Sequence, residues 1–171
     1  MPEKSTWVEM KVTGLTIDPF TSMPIIILKD ADEKSALPIW IGLIEASSIA
    51  TELEQIHLAR PMTHDLVKNM LEQLKATVEK VNITELKDNT FYAEIVIKSG
   101  EGTITLDSRP SDCIALALRT KAPIFVSRSV IEKSRKLDMP KEILGDDKNR
   151  QQKWAEILEN LSPEDFGRYK M

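Results

Sequence analysis

The sequence predicts an α+β fold: a mixed, mainly antiparallel sheet packed with several helices, followed by a helical C-terminal tail. Apolar residues alternate with a period of two from Trp7 to Ile17, from Val81 to Leu86 and from Phe91 to Ile97, and short apolar runs fill Pro24 to Leu28 and Leu37 to Ile41, whereas the spacing lengthens to three and four after Gly42 and after Thr63. Pro, Gly and Asx clusters punctuate the switches. The 171 residues suffice for one domain burying about two-thirds of its unfolded surface. With 42% hydrophobic and 29% charged residues, the composition is that of a globular chain.

From Trp7 to Ile17, Val8, Met10 and Val12 share one face until the phase slips at Gly14, which predicts a strand with a bulge there. Turn chemistry from Asp18 to Pro24 leads to a strand from Pro24 to Leu28, and a turn from Asp30 to Lys34 leads to a third strand, Leu37 to Ile41. Ala46, Ile49, Leu53 and Ile56 then have helical spacing, and the helix is expected to reach Leu58 before Pro61 stops it. Thr63 is placed to cap a second helix whose stripe is Leu66, Met70, Leu74 and Val78. Val81 to Leu86 and Phe91 to Ile97 alternate around Lys87-Asp88-Asn89-Thr90 and read as a hairpin. A turn from Ser99 to Gly102 opens a strand from Thr103 to Asp107. Ser111 is placed to cap an apolar helix through Ile114 to Leu118 that should be buried nearly all round. A short strand, Pro123 to Val126, and a helix from Ser129 to Lys136 complete a domain spanning residues 1–136. Residues 137–171 read as a linker, Leu137 to Arg150, and a helical extension containing Trp154, Ile157, Leu158 and Leu161.

The amino terminus has no basic flank before an apolar run, and stretches such as Pro24 to Leu28 are too short to span a bilayer, so neither a secretion signal nor a membrane association is expected. The single cysteine, Cys113, cannot form an internal disulfide and fits a cytoplasmic location. Following Asp112 at an apolar helix start, it reads as a small core residue. A net charge of −4 argues against coating nucleic acid by bulk electrostatics. The densest basic stretch, Arg128 to Lys136, is interrupted by Glu132 and reads as a solvated helix face. No nucleophile elbow, P-loop or Gly-x-Gly-x-x-Gly is present, which removes the usual support for acyl transfer, ordinary NTP hydrolysis and dinucleotide redox chemistry.

Two segments, Arg60-Pro61-Met62-Thr63-His64-Asp65 and Asp107-Ser108-Arg109-Pro110-Ser111-Asp112, repeat one arrangement: an arginine before a proline, then a hydroxyl and an aspartate at a helix opening. Proline keeps the preceding arginine extended, and the free amides of the helix start lie beside it, a combination that can receive a phosphate on Arg60, Thr63, Arg109 and Ser111. The same carboxylates can instead favour their own helix dipoles and brace the arginines. Asp65, Asp107 and Asp112 are candidate oxygen ligands for Mg²⁺ or Mn²⁺, which could activate water for phosphodiester hydrolysis. His64 and Glu45 are the candidates for moving a proton, whereas His57 is expected to serve a helix C-terminus.

Leu37-Pro38-Ile39-Trp40-Ile41-Gly42 with Glu45-Ala46, Arg60 to Asp65, Phe91-Tyr92-Ala93, and Asp107 to Ala117 together resemble the bifunctional nuclease family, in the family's order and near its spacing, from about Trp7 to Ile131. Cys113 stands where that family more often has alanine. The resemblance implies a compact, self-associating α+β domain and a nuclease acting on DNA and RNA. It assigns no role to individual residues, so those above rest on their chemistry. The expectation is a metal-dependent nuclease with catalytic Asp107, Asp112, Arg109, His64 and Glu45. The alternative is a non-catalytic oligomeric module that holds an anionic ligand or a partner protein.

Overall fold

The computed structural model describes residues 6–136. The elements run β1 (Trp7–Ile17), β2 (Pro24–Asp30), β3 (Ala36–Trp40), α1 (Leu43–Leu53), α2 (Thr63–Gln73), β4 (Ala76–Lys87), β5 (Thr90–Ser99), β6 (Gly102–Ser108), α3 (Pro110–Thr120), β7 (Ile124–Ser127) and α4 (Arg128–Ser134). One seven-stranded sheet has the order β3-β2-β1-β7-β4-β5-β6. Two antiparallel meanders flank β7, which pairs antiparallel with β1 and parallel with β4. The architecture is the mixed α+β arrangement that the alternating patterns predicted. The expected linker and tail, including Trp154, lie outside the described residues.

Local chemistry accounts for most boundaries. The β1–β2 register slips between Val12 and Gly14, the bulge that the phase change anticipated. Asp88 and Asn89 both take positive φ, as a tight hairpin whose twist matches its strands requires. Asp18 closes the first turn, accepting from the Phe20 amide and from Trp40 Nε1, each at 2.9 Å. The Trp40 bond, then the Phe20 amide, hold its carboxyl below the usual value. Along β2, Ile26 and Leu28 enter the main core while Ile25 and Ile27 pack with Trp40 on the other face.

Helix α3 is the keystone of the site. Ser111, Cys113, Ile114, Ala115, Leu116, Ala117 and Arg119 are all buried, and the helix packs against α1, α2, β4 and β5. Full burial of side chains such as Ile114 and Leu116 contributes about 1.5–3 kcal/mol each. Pro110 occupies its first turn and Arg109 is the N-cap, two residues ahead of the expected Ser111 cap. Proline's fixed φ and missing N–H suit the first helical position, so the helix starts earlier and Ser111 is drawn inside.

Two helix ends differ from the periodic pattern. Helix α1 stops at Leu53, not Leu58: Gln55 turns left-handed and the Ile56 amide donates back to the Thr51 carbonyl at 2.8 Å. Helix α2 stops at Gln73, with Lys75 left-handed, so Val78 belongs to β4 and the remaining stripe, Leu66, Met70 and Leu74, faces outward. Leu71 instead packs on the core. Met62 is the N-cap of α2 and Thr63 its first helical residue. Among the described residues no helix is long and apolar enough to cross a membrane.

Candidate functional site

The starts of α2 and α3 meet the side of α1, and a chain of side-chain hydrogen bonds joins them. Pro110 keeps Arg109 extended, with φ −68° and ψ 146°, which turns its guanidinium back along α3. Arg109 Nε donates to Asp112 Oδ2 at 2.8 Å and Nη2 to Asp112 Oδ1 at 3.2 Å, a bidentate clamp. Arg109 Nη1 donates to Glu45 Oε1 at 2.8 Å. Asp112 Oδ1 also lies 2.9 Å from His64 Nε2, and His64 Nδ1 lies 2.7 Å from Ser48 Oγ. Glu45 and Ser48 are three residues apart on α1, hence on one face, so the chain Ser48–His64–Asp112–Arg109–Glu45 begins and ends on the same helix.

Charge sets the direction of these bonds. Desolvation pushes the Asp112 carboxyl up, but hydrogen bonds from Arg109 and His64 outweigh it and hold the group below its usual 3.8. The ionised carboxylate only accepts, so in the neutral imidazole Nε2 carries the proton and donates to Asp112. Nδ1 then accepts from the Ser48 hydroxyl. The Asp112 and Glu45 carboxylates raise the Arg109 pKa still further above its ordinary value. Arg109 spends three of its N–H groups on them, leaving one on each terminal nitrogen, and its side chain is 64% exposed. It can therefore receive an anion while remaining clamped.

A second bracket lies beside the first. Arg119 is only 4% exposed in its side chain; its Nε donates to Asp65 Oδ1 at 2.6 Å, Nη1 to the Ala115 carbonyl and Nη2 to the Ser48 carbonyl, both at 3.0 Å. Asp65 Oδ2 accepts the Met62 amide at 2.9 Å, satisfying a free donor of the α2 start. Desolvation raises the Asp65 carboxyl, but Arg119 and that amide bring it below the usual value. This buried cation ties α1, α2 and α3 under the residues that surround His64.

The structure thus brings Glu45, His64, Arg109 and Asp112 into one site and sets Asp65 in the adjoining bracket. Arg60 and Thr63 are exposed at the entry to α2, Ser111 is buried in α3, and Asp107 is exposed on β6 in register with Glu94. Among the described residues no three His, Cys, Asp or Glu side chains form a group able to hold a metal ion. Asp65 and Asp112 each have a guanidinium partner, and Asp107 lies on β6. His57 is exposed in the loop beyond α1, away from the helix end expected for it, because α1 stops early. Burial pushes the Cys113 thiol up to about 12, as suits a core residue.

Sequence reasoning missed Ser48 and Arg119. The available signals were faint: Ser48 follows Glu45 by three on a helix, and Arg119 follows Asp112 by seven, two turns along the same face.

The bifunctional nuclease domain model matches residues 26–138. An uncharacterized protein of Mycobacterium tuberculosis is 33% identical over 165 residues, 92% of this chain and 97% of its own length. Bifunctional nuclease 2 of Oryza sativa subsp. japonica is 33% identical over 121 residues, covering 68% of this chain and 37% of the rice protein. Bifunctional nuclease 1 of Arabidopsis thaliana is 29% identical over 109 residues, 61% of this chain and 34% of the plant protein. The chain thus spans about a third of the length of those plant relatives. By the extent of the domain match and the arrangement of its Arg-Pro segments, this chain belongs to the bifunctional nuclease domain family.

Proposed function

We propose that the protein hydrolyses phosphodiester bonds in DNA and RNA, with Arg109 holding the phosphate and His64 moving the proton. The observation that carries this reading is a half-free, exposed guanidinium clamped by the same carboxylate that orients a histidine. Arg60 and Thr63, exposed at the start of α2, extend the anion-binding surface, and Glu45 sets the position of Arg109. Relatives named bifunctional nucleases support the substrate class. No step of this reading runs through a metal, and its dependence on Mg²⁺ or Mn²⁺ is decided by assay against chelator. The unpaired, buried Cys113 is in keeping with action inside the cell.

The test is cleavage of labelled single-stranded and duplex DNA and RNA, with Mg²⁺, Mn²⁺ or chelator, by wild type beside Arg109→Gln and Asp107→Asn. Cleavage lost in the Arg109 variant and kept in the Asp107 variant supports the site as drawn. Equal cleavage by all three refutes it.

A second reading, a non-catalytic oligomeric module for an anion or partner, is favoured by one feature. Each member of the chain from Ser48 to Glu45 already has a partner within the fold, so the site can present Arg109 without turning a substrate over. Exposed Ile44, Leu66, Met70 and Leu74, the last at 70%, offer apolar surface for self-association. Phosphate-dependent thermal stabilisation without cleavage, in a protein that sediments as an oligomer, would favour it.

A further inference from the structure

We propose that Ser48 is the nucleophile of this site and that cleavage passes through a covalent phosphoseryl intermediate. The inference rests on the phosphodiesterase reading above and adds a residue that neither composition nor family resemblance indicated. Three side chains from three helices, Ser48 of α1, His64 of α2 and Asp112 of α3, stand in line at 2.7 Å and 2.9 Å across the two ring nitrogens of the histidine. That is the relation of nucleophile, general base and orienting carboxylate that generates an alkoxide-like serine at neutral pH. Such constellations are defined by geometry and role, and here Nδ1 faces the serine and Nε2 the carboxylate.

Several further observations favour a reactive serine over a passive one. Asp112 is kept ionised by Arg109, so it can stabilise the imidazolium that forms when His64 takes the Ser48 proton. The Ser48 backbone is pinned by Arg119 Nη2 on its carbonyl, which fixes the position of Oγ without using Oγ itself. Arg109 is bound to Glu45, one turn of α1 before Ser48, or ~4.5 Å along the helix axis. A phosphate on the free N–H groups of Arg109 would sit over the face of α1 that carries Ser48. His64 and Ser48 are partly buried beside that exposed arginine, which limits competing water.

The step balances without an added oxidant, reductant or group donor. Ser48 Oγ bonds to phosphorus, its proton passes to His64 Nδ1, and the bond from phosphorus to one sugar oxygen breaks, that oxygen leaving with the proton from His64. Water then attacks the phosphoseryl group and gives a proton to Nδ1. The Oγ–phosphorus bond breaks, and Ser48 recovers its proton. The products are one hydroxyl end and one phosphate end.

The experiment is acid-quenched single-turnover cleavage of end-labelled single-stranded DNA and RNA by wild type, Ser48→Ala and Ser48→Cys, with adducts read on denaturing gels and located by peptide mass spectrometry. A fluorophosphonate probe is applied in parallel to wild type and His64→Gln. The expected result is an oligonucleotide adduct on Ser48, cleavage reduced at least about 10³-fold in Ser48→Ala with an unchanged melting temperature, and probe labelling that is lost in His64→Gln. Cleavage by Ser48→Ala within about tenfold of wild type would overturn Ser48 as nucleophile while leaving the nuclease reading intact. Probe labelling of Ser48 in a wild type that cleaves no nucleic acid would support the nucleophile and remove the nuclease reading. A folded wild type that neither labels nor forms an adduct would overturn the proposal.

Discussion

Removing Asp65 should destabilise the fold through a residue it does not adjoin in sequence. Arg119 is 4% exposed in its side chain, and among the described residues Asp65 supplies its one anionic partner, at 2.6 Å, so Asp65→Ala leaves a buried cation on the carbonyls of Ala115 and Ser48. Breaking a buried pair from one side costs about 3–5 kcal/mol. The two carbonyls remain, and Asp65 itself is partly open to water, which places this case at the low end, about 3 kcal/mol. For a chain of this size that corresponds to a fall in melting temperature of about 6–12 °C. The companion variant Asp65→Ala/Arg119→Met removes both charges; the Ser48 carbonyl still accepts from Thr51 Oγ1, and stability should return to within about 1 kcal/mol of wild type. Thermal and urea unfolding of the four proteins of this cycle measure both values. A single variant indistinguishable from wild type, or a double variant less stable than the single, would refute the bracket as the tie between the three helices.

Other expectations follow from the same geometry. Glu45→Gln removes a negative charge from Arg109 without altering α1, so inorganic phosphate should bind more tightly, whereas Arg109→Gln should abolish that binding; titration calorimetry at fixed salt distinguishes them. A Cβ at Gly42 would meet the Glu45 carboxylate, the movable end of a side chain, so Gly42→Ala should mimic the loss of Glu45 at a stability cost of about 1 kcal/mol or less. Asp112 and Asp65 have folded pKa values below their unfolded ones, so the stability they supply is complete above about pH 4 and is lost as pH falls through the lowered values. Acid unfolding of Asp112→Asn should accordingly show a shallower slope below pH 4 than wild type. Cys113, with its pKa pushed up to about 12, should resist a thiol reagent at pH 8 in the native protein and react at once after denaturation.

How far the sequence could be read depended on how local the determining physics was. The Gly14 bulge, the Asp88-Asn89 hairpin and the buried α3 each follow from residues within a few positions, and each was legible. The place of β7 was not: its four residues lie between β1 and β4 because partners distant in sequence cover both its edges. The early stop of α1 turns on Gln55 adopting a left-handed conformation that favours Gly or Asn, so no residue announced it. In α2, a regular Leu66, Met70 and Leu74 stripe suggested a core face but points outward, since periodicity reports a shared face and not its direction. At the site, proline made the arginine positions readable because its restriction acts on the adjacent residue. Ser48 carried no such mark. A serine in mid-helix becomes significant only when α2 brings His64 to it, and Arg119 only when Asp65 arrives from the same helix.

The most direct test of the account compares the cleavage rate of one labelled single-stranded RNA by wild type and by His64→Gln, each purified identically and shown to share a melting temperature. The account predicts cleavage by wild type and a loss of at least about 10²-fold in the variant. Equal rates in the two proteins would contradict a site built on His64.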